Sequence, residues 1–276
     1  VYGIVKLINF AHGDVMMVGA YTGYFVLRAM GTTPVGMICA FIAAMIVCSL
    51  LSLLIERCAY RPLRNAPRLN SLITAIAVEL ILQNTMRVLP FVGPDPRQFP
   101  TMPTKIFTLS TANYPNGIVS VSNIQLIVII SSAILMVILN YIINYTKTGR
   151  SMRAVSYDMG AASLMGVSVN KTIAITFVIG SVLAGAGGVL YATAYPQIDP
   201  VMGYIPGLKA FVAAVLGGIG SVPGAMVGGV ILGISETMTK AYISSQYADA
   251  ISYCILIVIL LVKPAGLLGK KQVVKV

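Results

Sequence analysis

The chain has 276 residues, of which 57% are hydrophobic and only 10% charged, with a mean hydropathy of +0.88. Soluble domains carry about a quarter charged residues, so the composition excludes an ordinary globular fold and indicates a polytopic membrane protein. The net charge of +11 does not indicate nucleic acid, because the basic residues sit in short clusters beside apolar runs without interleaved aromatics.

The chain begins Val1 rather than Met and reaches Lys6 within a few residues, which reads as the tail of a span whose beginning is missing, not as a signal peptide. The first apolar run, Leu7 to Met30, opens with Leu7-Ile-Asn-Phe-Ala-His-Gly-Asp14. A second run, Val35 to Ile55, ends at Glu56-Arg57, and Leu69 to Leu89 returns outward. Turn points such as Gly93-Pro94 and Pro115-Asn116-Gly117 make 91–123 an external loop. Ile124 to Ile143 comes back in and meets a polar island, Thr146 to Ser168. Thr172 to Tyr195 goes out, and Ile243 to Val262 ends inside at Lys263. Parity then requires Gly207 to Met238, broken at Gly217-Gly-Ile-Gly-Ser-Val-Pro-Gly224 and containing Lys209, to begin and end outside. It reads as a re-entrant helix pair or two short spans, and as a candidate pathway element through Gly217, Gly218 and Gly220, since broken helices at membrane depth need a cavity or protein around them.

Most runs approach the roughly 20 residues that cross a bilayer, and period-2 alternation is absent, so the expected fold is all-α with about seven to eight transmembrane helices. The basic clusters Arg57, Arg61, Arg64 and Arg68, then Lys147, Arg150, Arg153 and Lys171, then Lys263, Lys270, Lys271 and Lys275 mark the cytoplasmic side. Small residues at helical spacing, Gly180, Ala184 and Gly188, then Gly224 and Gly228, then Ala225, Gly229 and Gly233, predict closely buried helices. Cys39, Cys48 and Cys254 lie inside apolar runs, and with Cys58 form no CxxC pair, so neither a disulfide framework nor a zinc site is implied.

Ionisable groups at bilayer depth are costly and functional by default. Glu79 lies mid-run with Gln83 one turn on, on the same face; a solute pathway and a structural hydrogen-bond network are both open for this pair. Asn9, His12 and Asp14 form a second polar set, and His12, the lone histidine, has no second ligand at metal-binding spacing. Catalysis is poorly supported: Ser221 with His12 is the one tempting nucleophile–base pair, and neither Gly-x-Ser-x-Gly nor His-Glu-x-x-His occurs. Gly-x4-Gly-Lys-Ser/Thr is also absent, so no nucleotide hydrolysis is expected of this chain. A passive channel would leave the island unexplained. There Met152, Val155, Met159 and Ala162 form one helical stripe opposite Arg153 and Ser156, with Gly166 placed to stop the helix; a partner's groove or lipid headgroups would suit it.

Three motifs in order, Leu7 to Asp14, the island from Gly149-Arg-Ser-Met-Arg-Ala154 through Gly166-Val167, and Gly217 to Gly229, with the ending Lys263-Pro-Ala-Gly-Leu-Leu-Gly269, resemble the permeases of branched-chain amino-acid ABC importers. The resemblance runs the length of the chain, is strongest to the first of the two permease subunits, and implies that most of the first span is absent. It implies a single permease domain in the bacterial inner (plasma) membrane, a second permease subunit, two cytoplasmic ATPase subunits that bind the ATP, and a periplasmic substrate-binding protein that delivers the amino acid. It also implies that 146–171 is the ATPase-coupling region, through Gly149, Arg150, Arg153, Ala154, Asp158, Ala161, Ala162 and Gly166. Ala161, Ala162 and Gly166 fit the family's Glu-Ala-Ala-x-x-x-Gly pattern, but Gly160 stands at the acidic position and Asp158 two residues earlier. A urea or short-amide permease of the same family is the alternative; no cofactor or metal of its own is implied.

Overall fold

A computed structural model describes residues 9–63, 66–111, 114–263 and 265–269. The sequence readings at Leu7, Ile8, Arg64, Pro264, Lys270, Lys271 and Lys275 lie outside the described residues.

The described chain is helical, with short β pairs in its connections. In order come α1 (His12–Met30), α2 (Pro34–Ile55, continued by a π-helical turn Glu56–Tyr60), α3 (Arg68–Val88), β1 (Arg97–Gln98), β2 (Ile106–Thr111) and β3 (Tyr114–Ser122). Then follow α4 (Asn123–Tyr145), α5 (Lys147–Tyr157), α6 (Met159–Leu164), α7 (Val169–Ala194), β4 (Gln197–Ile198), α8 (Tyr204–Gly217), α9 (Val222–Tyr242) and α10 (Ala248–Val262). Among the described residues six helices are long and apolar enough to cross a membrane, starting at Pro34, Leu69, Asn123, Val169, Val222 and Ser245. The 19 residues of α1 and the 14 of α8 stand beside them, and α8 reaches only about 21 Å at 1.5 Å per residue.

The helix starts follow from local chemistry. Thr33 caps α2, its hydroxyl accepting from the Gly36 amide at 3.1 Å, with Pro34 in the first turn where its missing N–H costs nothing. The 91–123 connection is more ordered than its turn residues suggest. β2 and β3 form an antiparallel hairpin, and β1 pairs antiparallel with β4 across almost a hundred intervening residues, Arg97 opposite Ile198. Strand periodicity over two residues carries no signal, so this pairing was invisible in the sequence.

The described residues divide into two compact units. The first takes Ala11–Val137 and Phe177–Gly203, the second Ile138–Thr176 with the chain from Tyr204. In the first, α1, α2 and α7 approach to backbone contact. A Cβ built on Gly185 would lie 2.6 Å from the Ala44 carbonyl oxygen, one on Gly19 2.8 Å from Gly185 Cα, and one on Gly188 would overlap the Met16 carbonyl. Lipid supplies no hydrophobic drive between helices, so dispersion at such contacts does the holding. Cys48 donates to the Val15 carbonyl at 3.2 Å and Ser52 to the Phe177 carbonyl at 3.3 Å across the same seams. Met17, Ala20, Tyr21, Leu27, Ala40 and Ala44 centre the core beside them. In the expected stripe Ala184 and Gly188 are buried, yet Gly185, one position off it, makes the tightest approach to α2, and Gly180 is half-buried.

In the second unit Gly224 and Gly228 press α9 onto Gly217 and Ala213 of α8. The other α9 stripe departs from expectation: Ala225 is half-buried, and Gly229 and Gly233 are exposed with open space where a Cβ would sit. Among the described residues no neighbour of α9 covers these two glycines. Accordingly Gly185→Val should lower the melting temperature of the detergent-solubilised protein or abolish its folded yield, whereas Gly229→Ala, mid-helix in open space, should lower neither. Equal melting curves for the two variants would contradict the packing described.

Candidate functional site

Two polar features stand out against the apolar bundle. The first is in the first unit. Asp14, in the opening turn of α1, is 1% exposed, and Gln83 of α3 is also buried. The Gln83 amide nitrogen donates to Asp14 Oδ2 at 3.2 Å and Oδ1 at 3.4 Å, and to Glu79 Oε1 at 3.5 Å. Glu79 and Gln83 meet because residues four apart share a helix face. One amide therefore bridges two carboxylates, which brings Asp14 of one polar set to Glu79 and Gln83 of the other. His12, two residues before Asp14, is half-buried and is not among the hydrogen-bond partners of this cluster; Asn9 is half-buried in the second unit. Among the described residues no cluster of His, Cys, Asp and Glu could hold a metal ion.

The second feature is the island, in the second unit. It is two helices rather than the one expected. Thr146 opens α5: its hydroxyl donates to the Ile142 carbonyl at 2.5 Å and accepts from the Gly149 amide at 3.1 Å. Gly149 is buried, and a Cβ there would overlap the Ile142 and Ile143 carbonyls of α4. Arg153 reaches back and donates to the Ile143 carbonyl. The end of α4 and α5 thus form a stiff corner whose carbonyls are capped by the island's own side chains.

Asp158 then breaks the helix in extended conformation and caps α6, Oδ1 accepting from the Ala161 amide at 2.9 Å. Of the anticipated stripe Met152, Val155 and Ala162 are buried, whereas Met159, the first residue of α6, is exposed. Gly166, at φ 82°, closes α6; its amide donates to Ser163 and that of Val167 to Ala162, a Schellman ending that needs the left-handed conformation. Arg150, Ala154 and Ala161 are exposed along with Gly166. Sequence reasoning passed over Tyr157, Leu164 and Met165, which are 91%, 90% and 84% exposed on this hydrophilic segment. Their signal was available as apolar residues off the buried stripe of a charged helix.

A further network was visible only as Lys209. Its Nζ lies 2.9 Å from Glu236 Oε2 and 2.8 Å from Asp249 Oδ1, and Lys240 Nζ lies 2.6 Å from Glu236 Oε1, tying α8, α9 and the start of α10. Gly217 and Gly218 are buried at the other end of α8, and Gly220 is exposed at φ 91°.

Among the described residues, six helices long and apolar enough to cross a membrane define a multi-pass membrane protein. Residues 1–260 match the family model for the branched-chain amino acid transport system permease component, and the chain belongs to that family. It is 41% identical over 281 residues to the high-affinity branched-chain amino acid transport system permease protein LivH of Salmonella typhimurium, covering 100% of this chain and 90% of that protein. The Pseudomonas aeruginosa permease protein BraD, of the same description, is 41% identical over 283 residues with the same coverage. A ribose import permease protein, RbsC of Escherichia coli, matches at 27% identity over 129 residues, 44% of this chain and 40% of that protein. No solved structure matches the chain.

The capping role of Asp158 yields a specific expectation. Asp158→Ala should fray α6 at a cost of about 1 kcal/mol, seen as faster exchange of the Ala161 amide, whereas Asp158→Asn, an equally good cap, should keep it ordered. Identical exchange in the alanine variant would remove Asp158 from this role.

Proposed function

We propose that this chain is the membrane-spanning permease subunit of an ATP-driven importer of the branched-chain amino acids leucine, isoleucine and valine. In this reading it sits in the inner membrane, pairs with a second permease, receives its substrate from a periplasmic binding protein and is driven by two cytoplasmic ATPase subunits. It is a transport subunit, not an enzyme, and ATP is bound by its partners. Family membership and the relatives named for this transport support the substrate class.

The observation that carries the mechanism is the α5–α6 pair. Residues at 146–171 that hold no catalytic group nevertheless spend four side chains or glycines, Thr146, Gly149, Asp158 and Gly166, on fixing two short helices with Tyr157, Leu164 and Met165 bare. Bare apolar side chains on a fixed polar scaffold suit a protein groove. Arg150 lies exposed on the same helix and suits an acidic rim on the partner. Closure of the ATPases would then shift the permease between outward- and inward-facing states, a two-state equilibrium biased from the cytoplasm. Within the membrane, Asp14, Gln83 and Glu79 are assigned to the path, where two carboxylates suit the ammonium group of a passing amino acid. Asn9 and His12 are proposed as path residues from their sequence motif alone.

The reading is tested by purifying the assembly through a tag on this chain. ATPase subunits and a second permease should co-purify with the native chain; Leu164→Asp/Met165→Asp should lose the ATPase and keep the second permease, while Glu79→Gln should keep all partners and lose leucine uptake. Retention of the ATPase by the double aspartate variant would refute the docking assignment, and undiminished uptake by Glu79→Gln would make that carboxylate structural.

A further inference from the structure

The motifs Gly217 to Gly224 and Lys263 to Gly269 have no part in the docking surface or the carboxylate cluster, yet the fold brings them together. Helix α8 ends at Gly217 with carbonyls that have no intrahelical partner. The Leu267 amide donates to the Leu216 carbonyl and the Leu268 amide to the Gly217 carbonyl, each at 2.9 Å. The segment after α10 therefore satisfies the broken end of α8. Lys263 braces that segment, its Nζ donating to the Leu267 carbonyl at 2.9 Å.

The glycines are there because nothing larger fits. Gly218 has φ +105° and a Cβ there would lie 2.6 Å from Gly269 Cα; Gly266 has φ +75° and its Cβ would lie 2.6 Å from the Val215 carbonyl oxygen. Gly217 leaves no room against the Gly224 carbonyl. On the far side of the turn Ser221 caps α9, accepting from the Gly224 amide at 3.1 Å. At the opposite end of the same three helices, Lys209 holds Glu236 of α9 and Asp249 of α10. Val212, Ala213, Leu216 and Leu232 are packed between the two ends. A hinge absorbs its motion in a few residues whose dihedrals are free to change. Here Gly217, Gly218 and Gly266 are held by backbone contacts and by hydrogen bonds from a second segment, and of the elbow glycines Gly220 alone sits in open space.

We propose that α8, α9 and α10 move as one rigid body during transport, with the glycine-rich elbow a fixed joint and not the gate. The proposal rests on the transport reading above, and it assigns Gly217, Gly218 and Gly220 to the joint instead of the path. Lys263 is then a positioning residue in addition to a charge anchor.

The test joins the two sides of the joint covalently. Ile219 and Leu268, both exposed, are replaced by cysteine in a chain whose accessible Cys39, Cys58 and Cys254 are serine, and the pair is bridged by a short reducible bis-thiosulfonate in proteoliposomes holding the complete assembly. ATP-dependent leucine uptake should be the same before bridging, after bridging and after reduction. Uptake lost on bridging and regained on reduction would overturn the rigid joint. If uptake is absent already in the unbridged chain and in its native form, the transport reading has failed, and amide exchange in the membrane-embedded protein decides the joint by itself. The Leu267 and Leu268 amides should then exchange at least about tenfold more slowly than the exposed Gly220 amide, and equal rates would overturn it.

Discussion

Hydrocarbon offers backbone groups no water and helices no hydrophobic reason to associate. Every notable feature of this chain answers one of those two deficits. Association is obtained by letting backbones touch: Gly19, Gly185 and Gly188 bring α1, α2 and α7 so close that a single methyl has nowhere to go. Satisfaction of broken helix ends is obtained from within the protein. Where α8 stops at Gly217, amides from residues 267 and 268 take its last carbonyls; where α4 stops, Thr146 and Arg153 do the same.

The two solutions differ in what they leave exposed. At the α8 elbow, the covering segment belongs to the same three-helix unit and the joint is closed upon itself. At the island the capping groups face inward, and the outward side keeps Tyr157, Leu164 and Met165 uncovered. These are the side chains proposed above to seat in a partner's groove. The placement of charge follows the same economy: Lys209 is tolerable among apolar helices because Glu236 and Asp249 meet it from two neighbours.

Much of this was legible before the fold was known. Apolar runs of the right length located the helices, because crossing a bilayer imposes length directly, and the elbow at 217–221 was marked by its glycines and Pro223. Gly166 announced the end of α6 because only a residue at ease with positive φ serves there. What was not legible is whatever depends on contact between distant segments. The Asp14–Gln83–Glu79 bridge joins residues far apart in the chain, Asp249 and Glu236 gave no sign of meeting Lys209, and the β1–β4 pairing is too short to leave a periodic trace. The island was read as one helix because Asp158 resembles an interior polar residue until its carboxylate is seen capping the second. Likewise Gly229 and Gly233 carried the spacing of a buried stripe, although burial depends on which face of α9 finds a neighbour.

On the function proposed above, this permease moves substrate only when force reaches it from a partner that consumes ATP. The most direct measurement is radiolabelled leucine flux into proteoliposomes that contain the purified assembly and the loaded binding protein, with ATP or a non-hydrolysable analogue on the ATPase side. Leucine should accumulate against a gradient with ATP and not with the analogue. Leucine equilibrating at the same rate under both conditions would contradict it and make the chain a passive channel.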